Sequence, residues 1–183
     1  MFRQLHKVCV GFCWLAVIAF AGVMVQHRSV FYPLADLIEA LRVSEGLEQQ
    51  KSGELSGKVT RVLSGDMIVL RDEHGRSRTL RLTGVEAPAY ELNNPVAQLR
   101  AVASQTNLSQ LVMSKEVRVE LTCTNDSRCA LGIVYLGTNN INVKAVETGI
   151  VQAKRENMRG LPLKDRYALI QAARKARTIS NDQ

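Results

Sequence analysis

The stretch LRLTGVEAP, Leu80–Pro88, carries the clearest strand pattern in the chain and decides its fold. Apolar and polar residues alternate through its first part, so that Leu80 and Leu82 share one face and Arg81 lies on the other. This alternation is typical of a strand with one buried face. We therefore predict a strand over 77–83 that directs Arg81 away from the core.

Further strand patterns flank this stretch on both sides, separated by turn signals such as Ser64-Gly65-Asp66. Pro95 opens a helical stretch in which Val96, Leu99, Val102 and Ala103 share one face. The patterns predict strands over 58–63, 67–71, 77–83, 116–121 and 130–136, and helices over 95–113, 142–148 and 163–178. Five strands with a helix between the third and fourth predict an α+β domain built on an OB-type barrel with about three helices.

Five local motifs in this region resemble those of the staphylococcal nuclease (thermonuclease-like) family. They follow one another in the family's order and cover about two-thirds of the chain. The motifs are VLSGDM at 62–67, LRLTGVEAP at 80–88, CALGIVY at 129–135, NVKAVETG at 142–149 and the basic helix that ends ARKA at 173–176. The resemblance implies an OB-fold nuclease domain over 57–179, followed by a short tail at 180–183.

The resemblance also implies a site for phosphodiester cleavage that uses calcium, two arginines and a glutamate. Calcium prefers carboxylate and carbonyl oxygens, and arginines bind phosphate oxygens in a forked geometry. Carried over position by position, Asp66 and Glu86 stand for the metal-binding carboxylates, and Ala87 offers a backbone carbonyl. Arg81 stands for the first phosphate-binding arginine, and Glu86 is one methylene longer than the family's aspartate.

Two catalytic positions of the family are lost in this chain. Ala89 stands where the family has its general-base glutamate, and Cys129 stands at the second arginine. A methyl or thiol group cannot replace a general base or a phosphate-binding cation. Glu91 and Arg128 are nearby and are the candidate substitutes. The site is therefore expected to be degenerate, with Arg81 and Glu86 as vestiges and with no cofactor unless calcium still binds.

Cys123 and Cys129 flank a five-residue connection between the fourth and fifth predicted strands. In an antiparallel hairpin their Cα atoms can approach to the roughly 4.4–6.8 Å that a disulfide needs. An exported domain lies in an oxidising compartment, where such a bond forms and persists. We therefore predict a Cys123–Cys129 disulfide, with two free thiols as the alternative.

Residues 8–25, VCVGFCWLAVIAFAGVMV, contain no charged residue and are just long enough to span a bilayer as a helix. Arg3 and Lys7 precede them, so the positive-inside rule places the N-terminus in the cytoplasm and the rest on the extracytoplasmic, periplasmic-type side. We predict a single-pass membrane anchor over 1–28. A cleaved signal peptide is the alternative, because Ala19-Phe20-Ala21 has the form of a cleavage site.

Residues 29–56 are predicted to form an amphipathic helix and a linker. Pro33 can open the helix, and leucine and isoleucine recur on one face at 34, 37, 38, 41 and 47. Such a face must be buried somewhere, either on the domain or against a partner subunit. A membrane-protein partner bound through this helix is therefore expected.

The chain has 24 Lys and Arg residues against 17 Asp and Glu residues, a formal net charge of +7. Most of the excess lies between 154 and 177, and the basic surface is assigned to Lys154, Arg155, Arg159, Arg174 and Lys175. This surface indicates either an anionic binding partner or a helix face that is simply exposed to solvent.

The leading hypothesis is a pseudonuclease that serves as an accessory subunit of a membrane complex. An active calcium-dependent nuclease and a non-cleaving binder of nucleic acid or anionic surfaces are the alternatives, and nucleic acid is not favoured.

Overall fold

The computed structural model describes residues 28–42, 53–123, 130–158 and 161–181, and within them five strands close into a barrel. The α-helices are α1 Arg28–Arg42, α2 Pro95–Val112, α3 Ile141–Glu147 and α4 Leu163–Asn181, and Arg155–Met158 form a 3-10 turn. The strands are β1 Glu54–Ser64, β2 Met67–Asp72, β3 Ser77–Leu82, β4 Val85–Glu86, β5 Glu116–Cys123, β6 Ala130–Leu136, β7 Asn139–Asn140 and β8 Gln152–Ala153.

The barrel runs in the order β3-β2-β1-β5-β6, and a parallel pairing of β3 with β6 closes it. All the other pairings in this sheet are antiparallel. The closure pairs Leu80 with Ala130 and Leu82 with Gly132. A closed sheet leaves no barrel edge unpaired. The predicted five-stranded barrel with α2 between its third and fourth long strands is confirmed.

Alternation along the strands places the core inside the barrel. Leu80 and Leu82 are almost completely buried, and so are Val117 and Val119 of β5, while Arg81 is exposed. Strand β1 begins at Glu54, which pairs with Glu120 of β5. The barrel therefore begins three residues before the predicted start at Gly57.

Helix α2 begins at the predicted residue but packs through a different face. The Asn94 side chain accepts a hydrogen bond from the Ala97 amide (3.1 Å), and Pro95 occupies the first turn, where it needs no hydrogen bond. The buried residues are Ser104, Leu108 and Val112. The apolar face read from the sequence, which contains Val96, Leu99 and Val102, is exposed instead.

A buried polar cluster attaches α4 to the barrel. The Asp165 carboxylate accepts a hydrogen bond from the Asn140 side-chain amide (3.1 Å) and another, at 3.5 Å, from the Tyr135 hydroxyl. Burial raises the pKa of Asp165 above its ordinary value, and burial followed by the Asp165 charge raises the pKa of Tyr135 to about 12. The cluster links β6, the start of α3 and the first turn of α4.

The described chain divides into two units between Ile38 and Glu39, within α1. Helix α1 confirms that a helix occupies this region, but its buried residues are Asp36 and Ala40. The side chains that the pattern placed on the apolar face are exposed, namely Leu34, Leu37, Ile38 and Leu41.

No described helix is long and apolar enough to cross a membrane, and the predicted anchor at 8–25 lies outside the described residues.

Candidate functional site

The candidate site begins at the turn between β1 and β2, which holds Asp66. The carboxylate is buried, accepts a hydrogen bond from the Ser64 hydroxyl (2.6 Å) and lies 3.2 Å from Arg81 Nε. Strand pairing makes this contact, because Met67 is directly opposite Arg81 in the β2–β3 register. The structure therefore brings together Asp66 and Arg81, which the sequence placed in one site.

Glu86 lies on β4, in a two-stranded sheet formed with β8. This pairing places Glu86 opposite Gln152, and the Lys154 amide donates a hydrogen bond to the Gly84 carbonyl (3.0 Å). The Lys154 ammonium consequently forms a hydrogen-bonded ion pair with the Glu86 carboxylate. The hydrogen bond to Glu86 raises the pKa of Lys154 above its ordinary value. Lys154 was assigned to the basic surface, and its contact with Glu86 was not predicted.

Ala89 is exposed and carries no acid or base, as the sequence shows. The candidate substitute Glu91 accepts a hydrogen bond from the Asn94 side chain (3.1 Å), so this carboxylate takes part in the structure that caps α2. Arg128 and Cys129 lie outside the described residues, and so does the predicted disulfide. The described structure therefore gives Glu91 a capping contact rather than a contact with Arg81 or Asp66.

A cleft of about 680 Å³ lies beside Glu86. Its walls are mostly small or apolar, and the only cation among its lining residues is Arg100 of α2, which the sequence did not single out. The lining includes Glu86, Ala87, Pro88, Ala89, Arg100 and Ile150. Ala89, which stands at the position of the lost general base, therefore lines this cleft. Glu86 is the only acidic residue among the described lining residues, and it is ion-paired with Lys154.

Both carboxylates that the resemblance assigns to calcium have a cation of the chain as their partner. Calcium takes about six to eight oxygen ligands. Asp66 is already paired with Arg81, and Glu86 is already paired with Lys154. Within the described ranges, no group of three or more His, Cys, Asp or Glu residues could hold a metal ion. No calcium-dependent step follows from this arrangement.

The predicted basic surface is partly neutralised by acidic partners. Lys154 pairs with Glu86, and Lys175 Nζ lies 3.9 Å from a Glu147 oxygen. Arg155 is exposed in the 3-10 turn, and Arg159 lies outside the described residues. Arg174 lies on α4 and is half-buried there. In the described part of the chain, Lys154, Arg155 and Lys175 each lie beside an acidic residue, so the described cations do not form the uninterrupted basic stripe that is typical of a nucleic-acid interface.

Comparison with known proteins identifies a family for this fold and site. The family model described as staphylococcal nuclease homologue matches residues 79–180, which is more than half of the chain. The match begins in β3, and the structure shows that β1 and β2 complete the barrel ahead of it. A search of curated proteins found no significant match.

Proposed function

The chain belongs to the staphylococcal nuclease homologue family, and on that premise we propose that it is a non-catalytic member held at a membrane. It serves as a binding or structural module or as an accessory subunit of a membrane protein complex. The observation that carries this proposal is the ion pair between Lys154 and Glu86. In this pair, Lys154 neutralises a carboxylate that a metal-dependent nuclease would use to bind its metal ion.

Two further observations support the loss of catalysis. Ala89 offers no general base, and the candidate substitute Glu91 accepts a hydrogen bond from the Asn94 side chain next to the α2 cap. The carboxylate of Asp66 is buried and bound by Arg81, so the first phosphate-binding arginine is itself partly neutralised. Removing one transition-state donor costs about 10²–10³ in rate, and removing a general base costs about 10²–10⁴.

Membrane attachment is proposed from the uncharged segment 8–25 and from the basic residues that precede it. In this arrangement the N-terminus is cytoplasmic and the barrel lies on the extracytoplasmic side. The exposed leucines of α1 support the role of subunit, because an exposed apolar helix face suits a membrane-protein partner.

A nuclease assay tests the proposal directly. We expect the full-length protein, purified in mild detergent, to cleave single-stranded DNA, duplex DNA and RNA no faster than its Asp66→Ala variant. Each substrate is tested with calcium and with a chelator. Cleavage that requires calcium and disappears in Asp66→Ala would overturn the proposal and would point to Glu91 and Arg128 as substitutes. Binding without cleavage that weakens steeply with salt would instead indicate a nucleic-acid binder.

The proposed extracytoplasmic location also predicts the Cys123–Cys129 disulfide. The chain has four cysteines, at 9, 13, 123 and 129. If the disulfide forms, denatured and unreduced protein will titrate only the thiols of Cys9 and Cys13, and reduction will release the other two. The Cys123→Ser variant is the control, because it leaves Cys129 without a partner and adds one titratable thiol. Four free thiols in the unreduced protein would exclude the bond and would argue against an oxidising compartment.

A further inference from the structure

Helix α2 has two apolar faces, and the barrel covers only one of them. The covered face contains Leu108 and Val112, which are almost completely buried. The other face and the loop before it expose a set of apolar side chains that we call the α2 patch, with exposed fractions of 60% for Tyr90, 83% for Leu92, 60% for Val96, 71% for Leu99 and 51% for Val102. A cluster of exposed apolar side chains is typical of a surface that binds a protein partner or a membrane.

The loop that carries the α2 patch is held in place by hydrogen bonds. The Gln98 side-chain amide donates to the backbone carbonyls of Glu91 (3.0 Å) and Leu92 (2.7 Å). The Asn94 amide donates to the Glu91 carbonyl (3.2 Å). Leu92 is thus presented to solvent on a loop that is tied to the first turn of α2. A surface that is ordered before binding loses less conformational entropy when it docks.

The charge distribution on α2 favours a lipid surface as the binding partner of the α2 patch. Arg100 is the only charged residue among the 18 residues of the helix, and the whole chain carries a net charge of +7. Aromatic and leucine side chains with a nearby arginine suit the interface of a bilayer, where Arg100 can extend to lipid phosphates.

The size of the α2 patch favours a bilayer over a protein partner. A stable protein interface uses about 20–30 residues on each side, and the α2 patch has five. A bilayer does not require such an area when the chain is already tethered to it, because the tether keeps the local concentration of the surface high. At most, α1 contributes about 22 Å and residues 43–53 about 40 Å to the tether. The barrel therefore cannot move far from the membrane.

We propose that the α2 patch docks the barrel onto the surface of the lipid bilayer, with Tyr90, Leu92 and Leu99 in the interfacial region. This inference rests on the proposed membrane anchor. It adds a second, non-covalent contact by which the domain itself lies against the lipid.

Quenching of introduced tryptophans by brominated lipids tests this docking. The only tryptophan of the chain, Trp14, is first replaced by phenylalanine. Leu99→Trp then reports from the α2 patch, and His74→Trp is the matched control, because His74 is exposed in the turn between β2 and β3, outside α2. The full-length variants are reconstituted into vesicles of phosphatidylcholine and phosphatidylserine, with or without brominated acyl chains.

If the α2 patch contacts lipid, Leu99→Trp will lose most of its emission in brominated vesicles and His74→Trp will keep most of its own. Leu99→Trp that stays bright and accessible to aqueous iodide would show that the patch faces water and would overturn the docking. Leu99→Trp that is protected from iodide but not quenched by bromolipid would show a protein occupant, such as a second copy of the chain, and would overturn it equally.

Flotation of the same vesicles separates the two proposals. Protein that does not float with the vesicles refutes the anchor, and the docking proposal with it. Protein that floats while Leu99→Trp remains unquenched refutes the docking alone and leaves the anchor standing.

Discussion

We expect the Asn142→Ala variant to lose roughly 3–5 kcal/mol of unfolding free energy, because the buried Val134 amide and Thr83 carbonyl lose their side-chain partner, while the Gly132 carbonyl keeps the Thr83 amide as a donor. Asn142 is almost completely buried at the start of α3. Its side-chain oxygen accepts from the Val134 amide (2.9 Å), and its side-chain nitrogen donates to the carbonyls of Thr83 (2.8 Å) and Gly132 (3.2 Å). It therefore joins β6 to the segment that leads into Glu86.

The matched control for this variant is Asn94→Ala, at the N-cap of α2. The Asn94 side chain accepts from the Ala97 amide (3.1 Å), and Asn94 is exposed. Losing a helix cap costs about 1 kcal/mol. Thermal unfolding followed by circular dichroism will measure both variants. Since 1 kcal/mol shifts the midpoint of a domain of this size by about 3–5 °C, we expect the Asn142→Ala midpoint to fall by about 10–20 °C. Equal losses for the two variants would contradict the role given to Asn142.

The second large effect is expected at Gly84, which follows β3 and precedes β4. Its φ is +78°, and a Cβ there would lie 2.7 Å from Leu169 Cδ1 and 3.1 Å from Leu161 Cδ1. Both leucines are buried in the core. Gly84→Ala combines about 1–2 kcal/mol of left-handed backbone strain with about 1–3 kcal/mol of overpacking. We expect a total loss of roughly 2–5 kcal/mol.

Gly75→Ala separates these two causes. Gly75 has nearly the same φ, +76°, but no atom lies within 4 Å of the position that a Cβ would take there. It should therefore show the backbone strain alone. The difference between the two variants in urea unfolding, at an unchanged denaturant slope, measures the packing around Gly84. If both variants lose the same free energy, the leucines accommodate a methyl group and the packing explanation is wrong. Because the Gly84 carbonyl accepts from the Lys154 amide, the variant should also disturb the Glu86–Lys154 pair.

Much of the barrel could be predicted from the sequence because its strands have one buried face. The alternation at Leu80, Arg81 and Leu82 fixes which side chains enter the core, and the structure agrees. The alternation of β5 is equally clear. The contact between Asp66 and Arg81 was also predictable in part, since a short turn returns β2 alongside β1 and brings β3 next to it.

The covered face of α2 was not predictable, because the helix is apolar on two sides and periodicity cannot say which side the barrel uses. The ion pair of Glu86 with Lys154 was not predictable either. The two residues are 68 positions apart, and a two-residue pairing of β4 with β8 brings them together. Strands of two residues carry no alternation that a sequence pattern can reveal.

The sequence by itself determined the family, the barrel and the absence of a carboxylate at Ala89, because each depends on residue type and local order. Only the tertiary structure decided that Lys154 neutralises Glu86 and that Leu92 and Leu99 remain exposed. Both facts depend on which distant segments pack together. That choice is made by the closure of the whole barrel and not by any local stretch of the chain.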